Sequence, residues 1–289
     1  MTLSQPAEPT AASKSQDVAP TMRLDPHIHT LASDGISDVE AVLDRALAIG
    51  LDVIAITDHE RIDAAVAAKA IAESRGLPIE VIVGEEITTR GGHLLGLFLG
   101  KRIRPWHSMK SSVARVHEQG GVAIVAHPLV PYPLCASART IRRLMEEADP
   151  IYHPDALEGF NPTTARMRWS RRAPSFAEEM GIAAVAGSDA HRAGNVGRAV
   201  TTYRGSSAED FRAAIERRDT GWEGGAYSWR EQVRMFQHQL GKNAVAIRDD
   251  LGGRVRRDGT GRDLGYPGGR TRPARFDPDA QRLGDGKHR

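Results

Sequence analysis

Six of the eleven histidines in this 289-residue chain stand at the ends of short apolar runs. They are His27, His29, His59, His93, His127 and His191. Four acidic residues accompany them, namely Asp34, Asp58, Glu86 and Asp189. A single histidine at a strand end is more often a hydrogen-bonded structural residue than a metal ligand, but six with four acids indicate a metal centre. Imidazole and carboxylate donors together favour Zn²⁺, Mn²⁺ or Fe²⁺ over Ca²⁺ or Mg²⁺ alone.

The spacing of two pairs of these residues supports convergence on shared ions. His27 and His29 are two positions apart, as are Asp189 and His191. Side chains of a strand alternate between its faces, so the two members of each pair point to the same side. Since one ion takes about four to six ligands, the whole set predicts two or three divalent ions that share a bridging carboxylate.

These residues need a scaffold that brings distant strand ends together. Short apolar runs alternate with helical stretches over about 200 residues. The predicted strands contain RLDPHIH, DVIAIT, IEVIVG, GHLLGLFLG, GVAIVAH, DALEGFN and IAAVAGSD, and the third and fourth are joined by a predicted loop, EEITTRG. Such alternation predicts an α/β fold with a parallel sheet, either open or closed into a barrel. The carboxyl ends of its strands would meet at one rim.

Composition divides the chain into four predicted regions. Residues 1–21 are predicted to be a disordered leader, 22–224 the compact α/β domain, 225–250 a helical segment, and 251–289 a basic, disordered Gly/Arg-rich tail. The single cysteine, Cys135, fits a reducing compartment and is interpreted as a lone loop thiol. The sequence has no signal-peptide pattern and no apolar run that would span a membrane, which predicts a cytoplasmic protein.

The motifs, in their order and spacing, resemble a known family. HIHTLASDG, ITDH, GEEITT, GHLL, AHP, EGFN and GSDAH together are similar to the PHP (polymerase and histidinol phosphatase) family of metal-dependent phosphoesterases. The resemblance runs from residue 23 to about residue 205. Within the family, the chain resembles the compact branch that has a PHP-associated C-terminal segment. It implies a distorted seven-stranded (β/α)7 barrel.

The resemblance also implies how the ligands divide among three ions. The first ion would be held by His27, His29, Glu86 and Asp189. Glu86 would bridge to a second ion, held also by His93 and His127. The third would be held by Asp34, His59 and His191. The family pattern Gly-x-Glu selects Glu86 and leaves the adjacent Glu85 as an alternative, while Asp58 would orient an imidazole or the main chain.

The resemblance implies hydrolysis of a phosphate monoester on a small metabolite or nucleotide, with short RNA as a further candidate substrate. A hydroxide bridging two ions would attack phosphorus, with Glu86, Asp189 and His191 acting through the metals. Arg192 and Arg166 are predicted substrate contacts, because guanidinium matches phosphate, and Asn161 is a third candidate that could hydrogen-bond to the substrate. The native metal and the oligomeric state stay open.

Two alternatives accompany this interpretation. One is a C–N or C–O hydrolase of the amidohydrolase type, which also begins with His-x-His. The other is a nucleic-acid-binding or regulatory protein that uses the basic tail. The sequence departs from the family pattern at Pro26, and it has only about forty residues between Glu86 and His127, where relatives insert a subdomain. The remaining histidines, His107, His117, His153, His238 and His288, are interpreted as surface residues.

Overall fold

A computed structural model describes residues 19–228 and residue 231, and this part of the chain forms one mixed sheet covered by helices. Its strands are β1 Thr21–Ile28, β2 Val53–Ile56, β3 Glu80–Thr89, β4 Gly92–Leu97, β5 Val122–Val125, β6 Ala156–Phe160, β7 Ala183–Ala186, β8 Ala199–Arg204 and β9 Thr220–Gly224. Its helices are α1 Val39–Ala48, α2 Asp63–Arg75, α3 Met109–His117, α4 Ala138–Met145, α5 Ala173–Met180 and α6 Ala208–Arg217.

The sheet has nine strands in the order β7-β6-β5-β4-β3-β2-β1-β8-β9. The expected seven strands coincide with β1 to β7, but the structure adds β8 and β9, which pair antiparallel beside β1. Hydrogen bonds from threonine side chains connect β7 to β8 and β9. The hydroxyl of Thr201 in β8 lies 2.9 Å from Ala186 N and 2.8 Å from Ala186 O in β7, and the hydroxyl of Thr220 in β9 donates to Ala184 O. The sheet is therefore a nearly closed barrel and the strand count of seven is corrected to nine.

The expectation of a parallel sheet is wrong at β4. This strand runs antiparallel to both β3 and β5, because residues 90 and 91 form a tight hairpin. The predicted loop EEITTRG is mostly strand, since β3 continues to Thr89. As β4 runs the other way, its first residues lie at the rim where the parallel strands end, and His93 is among them.

The interior of the barrel is apolar, and so are the two parts of its outer surface that the helices cover. Inward-facing residues of β1 to β7 pack with Phe211, Ala214 and Ile215 of α6. Helix α6 lies at the end where the parallel strands begin, since Ala208 N donates to Glu80 at the start of β3. Helices α1 and α2 cover β1 to β3, and α3 to α5 cover β4 to β7. This leaves the opposite rim to polar loops.

His117, expected at the surface, is half-buried. Its Nδ1 lies 2.8 Å from Ile151 O and its Nε2 lies 2.9 Å from Asp155 Oδ2. Asp155 also accepts a hydrogen bond from Ala123 N in β5. The imidazole therefore joins the end of α3 to the segment before β6, so the surface interpretation is corrected.

Few of the predicted region boundaries fall within the residues that the structure describes. Residues 1–18, most of the predicted helical segment 225–250 and the tail 251–289 lie outside the described residues. Thr21, assigned to the leader, is the first residue of β1. Among residues 19–228, none of the helices combines the length and apolar character needed to cross a bilayer.

Candidate metal centre

All nine predicted ligands lie at the rim formed by the carboxyl ends of the parallel strands and the start of β4. His27 lies in β1, Glu86 in β3 and His93 in β4, and the others follow β1, β2, β5 and β7 in sequence. Isolated bridges join Ile28 to Ala190 and His59 to Glu86, which fixes the loops after β7 and β2 against their neighbours. Residues up to 164 positions apart in sequence, His27 and His191, are thereby brought into one cluster.

Glu86 lies at the centre of this cluster and is 1% exposed. Its Oε1 is 2.8 Å from His93 Nδ1 and 3.1 Å from His127 Nε2. Its Oε2 lies 3.2–3.4 Å from three further imidazole nitrogens, those of His27, His29 and His59. A carboxylate that faces imidazoles from both oxygens has the geometry to bridge two ions.

The carboxylates of Asp34 and Asp189 also lie against the cluster and face His27, His29 and His191. Asp34 Oδ2 lies 2.9 Å from His191 Nε2, and Asp34 Oδ1 lies 3.4 Å from His29 Nδ1. Asp189 Oδ1 is 3.5 Å from His29 Nε2 and 3.6 Å from His27 Nε2 and from His191 Nδ1. His29 thus stands between two carboxylates.

The donor atoms form three groups in which all ligand atoms lie within 4.8 Å of one another. The groups are His29, Asp34, His59 and His191; His27, His29 and Asp189; and His59, Glu86 and His93. They match the division implied by the family resemblance in part. His29 and His59 each occur in two groups, Glu86 is absent from the group of His27, His29 and Asp189, and His127 is in none of the three. The assignment of individual ligands to ions stays a prediction.

The chemistry of these groups suits divalent cations. His29 Nδ1 is buried and has no hydrogen-bond partner among the described residues, and His27 Nε2 lies only 3.1 Å from His29 Nε2. Burial lowers the pKa of His59 to about 4. Burial alone would raise the pKa of Glu86. The surrounding imidazoles have the opposite and larger effect, so the pKa of this carboxyl lies well below its usual range. The donors therefore fit transition-metal ions.

Two of the predicted ligands adopt backbone conformations that are uncommon for residues other than glycine. His127 has φ 29° and Asp189 has φ 52°. Both are residue types that tolerate positive φ better than most. Such conformations cost free energy and persist where the surrounding structure holds them, often at functional sites.

Asp58 and Glu85 lie away from the ligand groups. Asp58 accepts hydrogen bonds from Thr30 N and from the Thr30 and Ser33 hydroxyls, so it holds the turn that carries Asp34. Glu85 is fully buried, and its Oε2 accepts a hydrogen bond from Ile103 N at 2.7 Å. Because strand side chains alternate, Glu85 points away from the histidines that Glu86 faces.

The predicted substrate contacts occupy three different environments. Arg192 is exposed on the loop directly after His191. Arg166 donates from Nε to Tyr227 O at 2.7 Å, which engages part of its guanidinium. Asn161 is 1% exposed and its amide nitrogen lies 3.3 Å from Asp189 Oδ2, so it stands behind the ligands. Their roles in substrate binding stay predictions.

Glu158 is a residue of this cluster that the sequence interpretation missed. It lies near the carboxyl end of β6 in the motif EGFN and is 1% exposed. Its Oε1 is 2.8 Å from His27 Nδ1. An acidic residue near a strand end was the same signal that selected Glu86, and it was available here.

Comparison with known proteins gives the family of this chain. A family model described as PHP-associated matches residues 168–220. The uncharacterized protein MJ1587 of Methanocaldococcus jannaschii is 36% identical over 121 residues, which are 38% of this chain and 70% of that protein. A 5'-3' exoribonuclease of Haemophilus influenzae is 34% identical over 108 residues, covering 36% of this chain and 39% of that enzyme.

Solved structures share the fold. A two-domain protein from Bacteroides vulgatus with a predicted PHP-like metal-dependent phosphoesterase has a TM-score of 0.59 at 20% identity, covering 81% of this chain and 75% of that chain. PsfC from Pseudomonas syringae has a TM-score of 0.54 at 19% identity, covering 76% of this chain and 98% of that one. The PHP-associated match, the relative MJ1587 and the ordered motifs show that the chain belongs to the PHP family of metal-dependent phosphoesterases.

Proposed function

We propose that this protein hydrolyses phosphate monoesters of small phosphorylated substrates such as nucleotides, with two or three divalent ions held at the rim of the barrel. The observation that carries the proposal is the position of Glu86, whose two oxygens face five imidazoles, with the Asp34 and Asp189 carboxylates alongside. Divalent ions bound there would supply an activated water at neutral pH and neutralise phosphate charge. Mn²⁺, Zn²⁺ and Fe²⁺ suit the donors.

The residues of this chain each contribute to that chemistry. Glu86, Asp189 and His191 would hold the ions, and His59 would offer the lone pair of a ring nitrogen. The buried ligands exclude bulk water from one side of the centre, which strengthens electrostatic interactions there. We expect Arg192, which is exposed on the loop directly after His191, to contact a phosphate oxygen of the substrate.

A short 5'-phosphorylated RNA is the second candidate substrate. The observation that favours it is the similarity to the 5'-3' exoribonuclease of Haemophilus influenzae, although the matched part covers only 39% of that enzyme. Both candidates require the same ions and differ in which ester bond is broken. Phosphodiester cleavage releases a nucleotide, whereas monoester cleavage releases inorganic phosphate.

The test compares three substrates at one Mn²⁺ concentration. These are an aryl phosphate, a set of nucleoside monophosphates, and a 5'-phosphorylated oligoribonucleotide. The proposal predicts inorganic phosphate from the first two, with kcat/KM for the preferred nucleotide at least tenfold above the aryl phosphate. Nucleotide release from the oligomer with no inorganic phosphate from any substrate would replace the monoesterase with the nuclease. No product from any of them, in a protein shown to bind Mn²⁺, would contradict both.

A further inference from the structure

Glu158 contacts the proposed ligands from behind, on the side away from the ions' expected positions. Its Oε1 lies 2.8 Å from His27 Nδ1. Its Oε2 accepts hydrogen bonds from His127 N at 2.7 Å and from Asn161 Nδ2 at 3.0 Å. The side chain has no exposed surface, so all of its contacts are with the protein.

The bond to His27 selects one tautomer of that imidazole. An ionised carboxylate only accepts hydrogen bonds, so His27 Nδ1 must carry the proton. The lone pair is then on Nε2, which lies 3.3 Å from Glu86 Oε2 and 3.6 Å from Asp189 Oδ1. In the other tautomer, Nε2 would carry a hydrogen and could not bind an ion. Glu158 therefore fixes the tautomer in which Nε2 of His27 can act as a ligand.

The second oxygen of Glu158 reaches two more parts of the cluster. His127 has φ 29°, and the hydrogen bond from its main-chain N–H to Glu158 helps to hold that uncommon conformation. Asn161 Nδ2 lies 3.0 Å from Glu158 and 3.3 Å from Asp189 Oδ2. One carboxylate thereby links His27, His127 and, through an amide, Asp189.

The chain leaves room for this arrangement at Gly187. A Cβ atom at this position would lie 2.6 Å from His27 Cβ and 2.8 Å from Glu158 Oε1. Both distances are shorter than non-bonded atoms allow. The absence of a side chain at residue 187 is therefore needed for the His27–Glu158 contact.

We propose that Glu158 is a positioning residue of the metal centre, which fixes the His27 tautomer and the His127 main chain in the geometry that binds the ions. The inference rests on the metal site of the proposed function. It assigns to Glu158, in the EGFN motif, a role in metal affinity. Interactions behind metal ligands of this kind typically change metal affinity 10- to 100-fold when removed.

The test is the Mn²⁺ affinity of Glu158→Gln, measured by equilibrium dialysis. Glutamine has nearly the same shape but replaces one acceptor oxygen by an NH₂ group. His27 loses its acceptor if the NH₂ group replaces Oε1, and His127 N and Asn161 lose theirs if it replaces Oε2. We expect the dissociation constant of at least one ion to be 10- to 100-fold larger than in the unchanged protein. Glu85→Gln is the matched control, since Glu85 is equally buried and also accepts a main-chain N–H at 2.7 Å but faces Ile103. Its Mn²⁺ affinity should equal that of the unchanged protein.

A spectroscopic signature separates positioning from general damage to the fold. In the Zn²⁺-loaded protein, the His27 Nδ1–H proton should give a downfield ring resonance, identified by its loss in His27→Gln. We expect the resonance in the unchanged protein and in Glu85→Gln, and its loss or upfield shift in Glu158→Gln. If Glu158→Gln does not fold, as judged by circular dichroism in chelator, the resonance of the unchanged protein decides the question by showing which ring nitrogen is protonated.

The outcomes distinguish this inference from the function on which it rests. Mn²⁺ binding by Glu158→Gln with unchanged affinity would overturn the positioning role and leave the metal site intact. A His27 ring protonated on Nε2 in the Zn²⁺-loaded protein would overturn it as well. Absence of Mn²⁺ binding in the unchanged protein would overturn both the positioning role and the proposed function.

Discussion

A single carboxylate, Glu86, connects the two sides of the metal centre. His93 and His127 face one of its oxygens, and His27, His29 and His59 face the other. The side chain is 1% exposed, so its charge is stabilised by these imidazoles or by ions in place of water. An isolated buried charge would be costly, and the surrounding donors offset that cost.

Replacing Glu86 by glutamine should abolish turnover while the barrel stays folded. The amide keeps the shape but loses the negative charge and one acceptor, so it can no longer bridge two ions. We expect kcat for phosphate release to fall at least 100-fold, equivalent to about 2.7 kcal/mol of transition-state stabilisation. The measurement is a kinetic assay beside Glu85→Gln, the neighbouring carboxylate that points to Ile103. Full activity of Glu86→Gln would remove Glu86 from the mechanism.

At the residue scale the sequence predicted which residue types converge but not all of their neighbours. The spacing of two between His27 and His29 indicated a shared face, and the structure places both rings against Glu86. The choice between Glu85 and Glu86 depends on strand alternation, which the sequence interpretation lost by assigning both to a loop. Glu158 was missed because its motif was interpreted through Asn161, whose amide stands behind the ligands.

The rim is assembled by elements that run in two directions. Parallel strands bring their carboxyl ends to it, and β4 brings its first residues there because it runs antiparallel. The alternating pattern predicted the seven strands, β1 to β7. Strand direction within the β3–β4 hairpin was not predicted, since apolar alternation has the same period in parallel and antiparallel strands. β8 was missed for a different reason: residues 199–204 were interpreted as part of a C-terminal family segment. β9 was missed because its sequence, TGWEG, contains a single large apolar residue, Trp222.

The outer layer contains a pH-sensitive contact far from the ligands, at His117. Its two nitrogens face Ile151 O and Asp155 Oδ2, so the charged ring is stabilised. Burial lowers the pKa of His117, but the hydrogen bond and charge of Asp155 raise it above the ordinary value of 6.5. A raised folded-state pKa contributes stability that is fully present below the unfolded pKa and is lost as pH rises through the folded pKa.

The stability difference between the unchanged protein and His117→Gln should therefore depend on pH. We expect it to be larger at pH 6 than at pH 9, by roughly 1.5 kcal/mol, the lower end of the range for a hydrogen bond to a charged group. Urea unfolding at the two pH values measures it. In an Asp155→Asn background the pH dependence should shrink, because the partner charge is gone. An equal difference at both pH values would show that the ring is not charged in the folded protein.

In the described part of the chain, the apolar packing of α6 and the candidate metal site lie at opposite ends of the barrel. Helix α6 packs apolar side chains into the end where the parallel strands begin, and the polar loops and histidines occupy the opposite rim. The family was predictable from the ordered motifs because ligands at successive strand ends leave a trace along the whole sequence. Of the predicted leader, residues 1–21, the structure describes only residues 19–21, and the predicted tail, residues 251–289, lies wholly outside the described part.

The most direct test of the metal-dependent hydrolysis proposed here is phosphate release from the preferred nucleotide as a function of bound Mn²⁺. Chelator-treated protein would be titrated with Mn²⁺, with metal content and rate measured on the same samples. We predict no release without metal and a rate that rises until two or three ions are bound per chain, in proportion to filling of the site around Glu86. Release that continues at the same rate in metal-free protein would contradict the account.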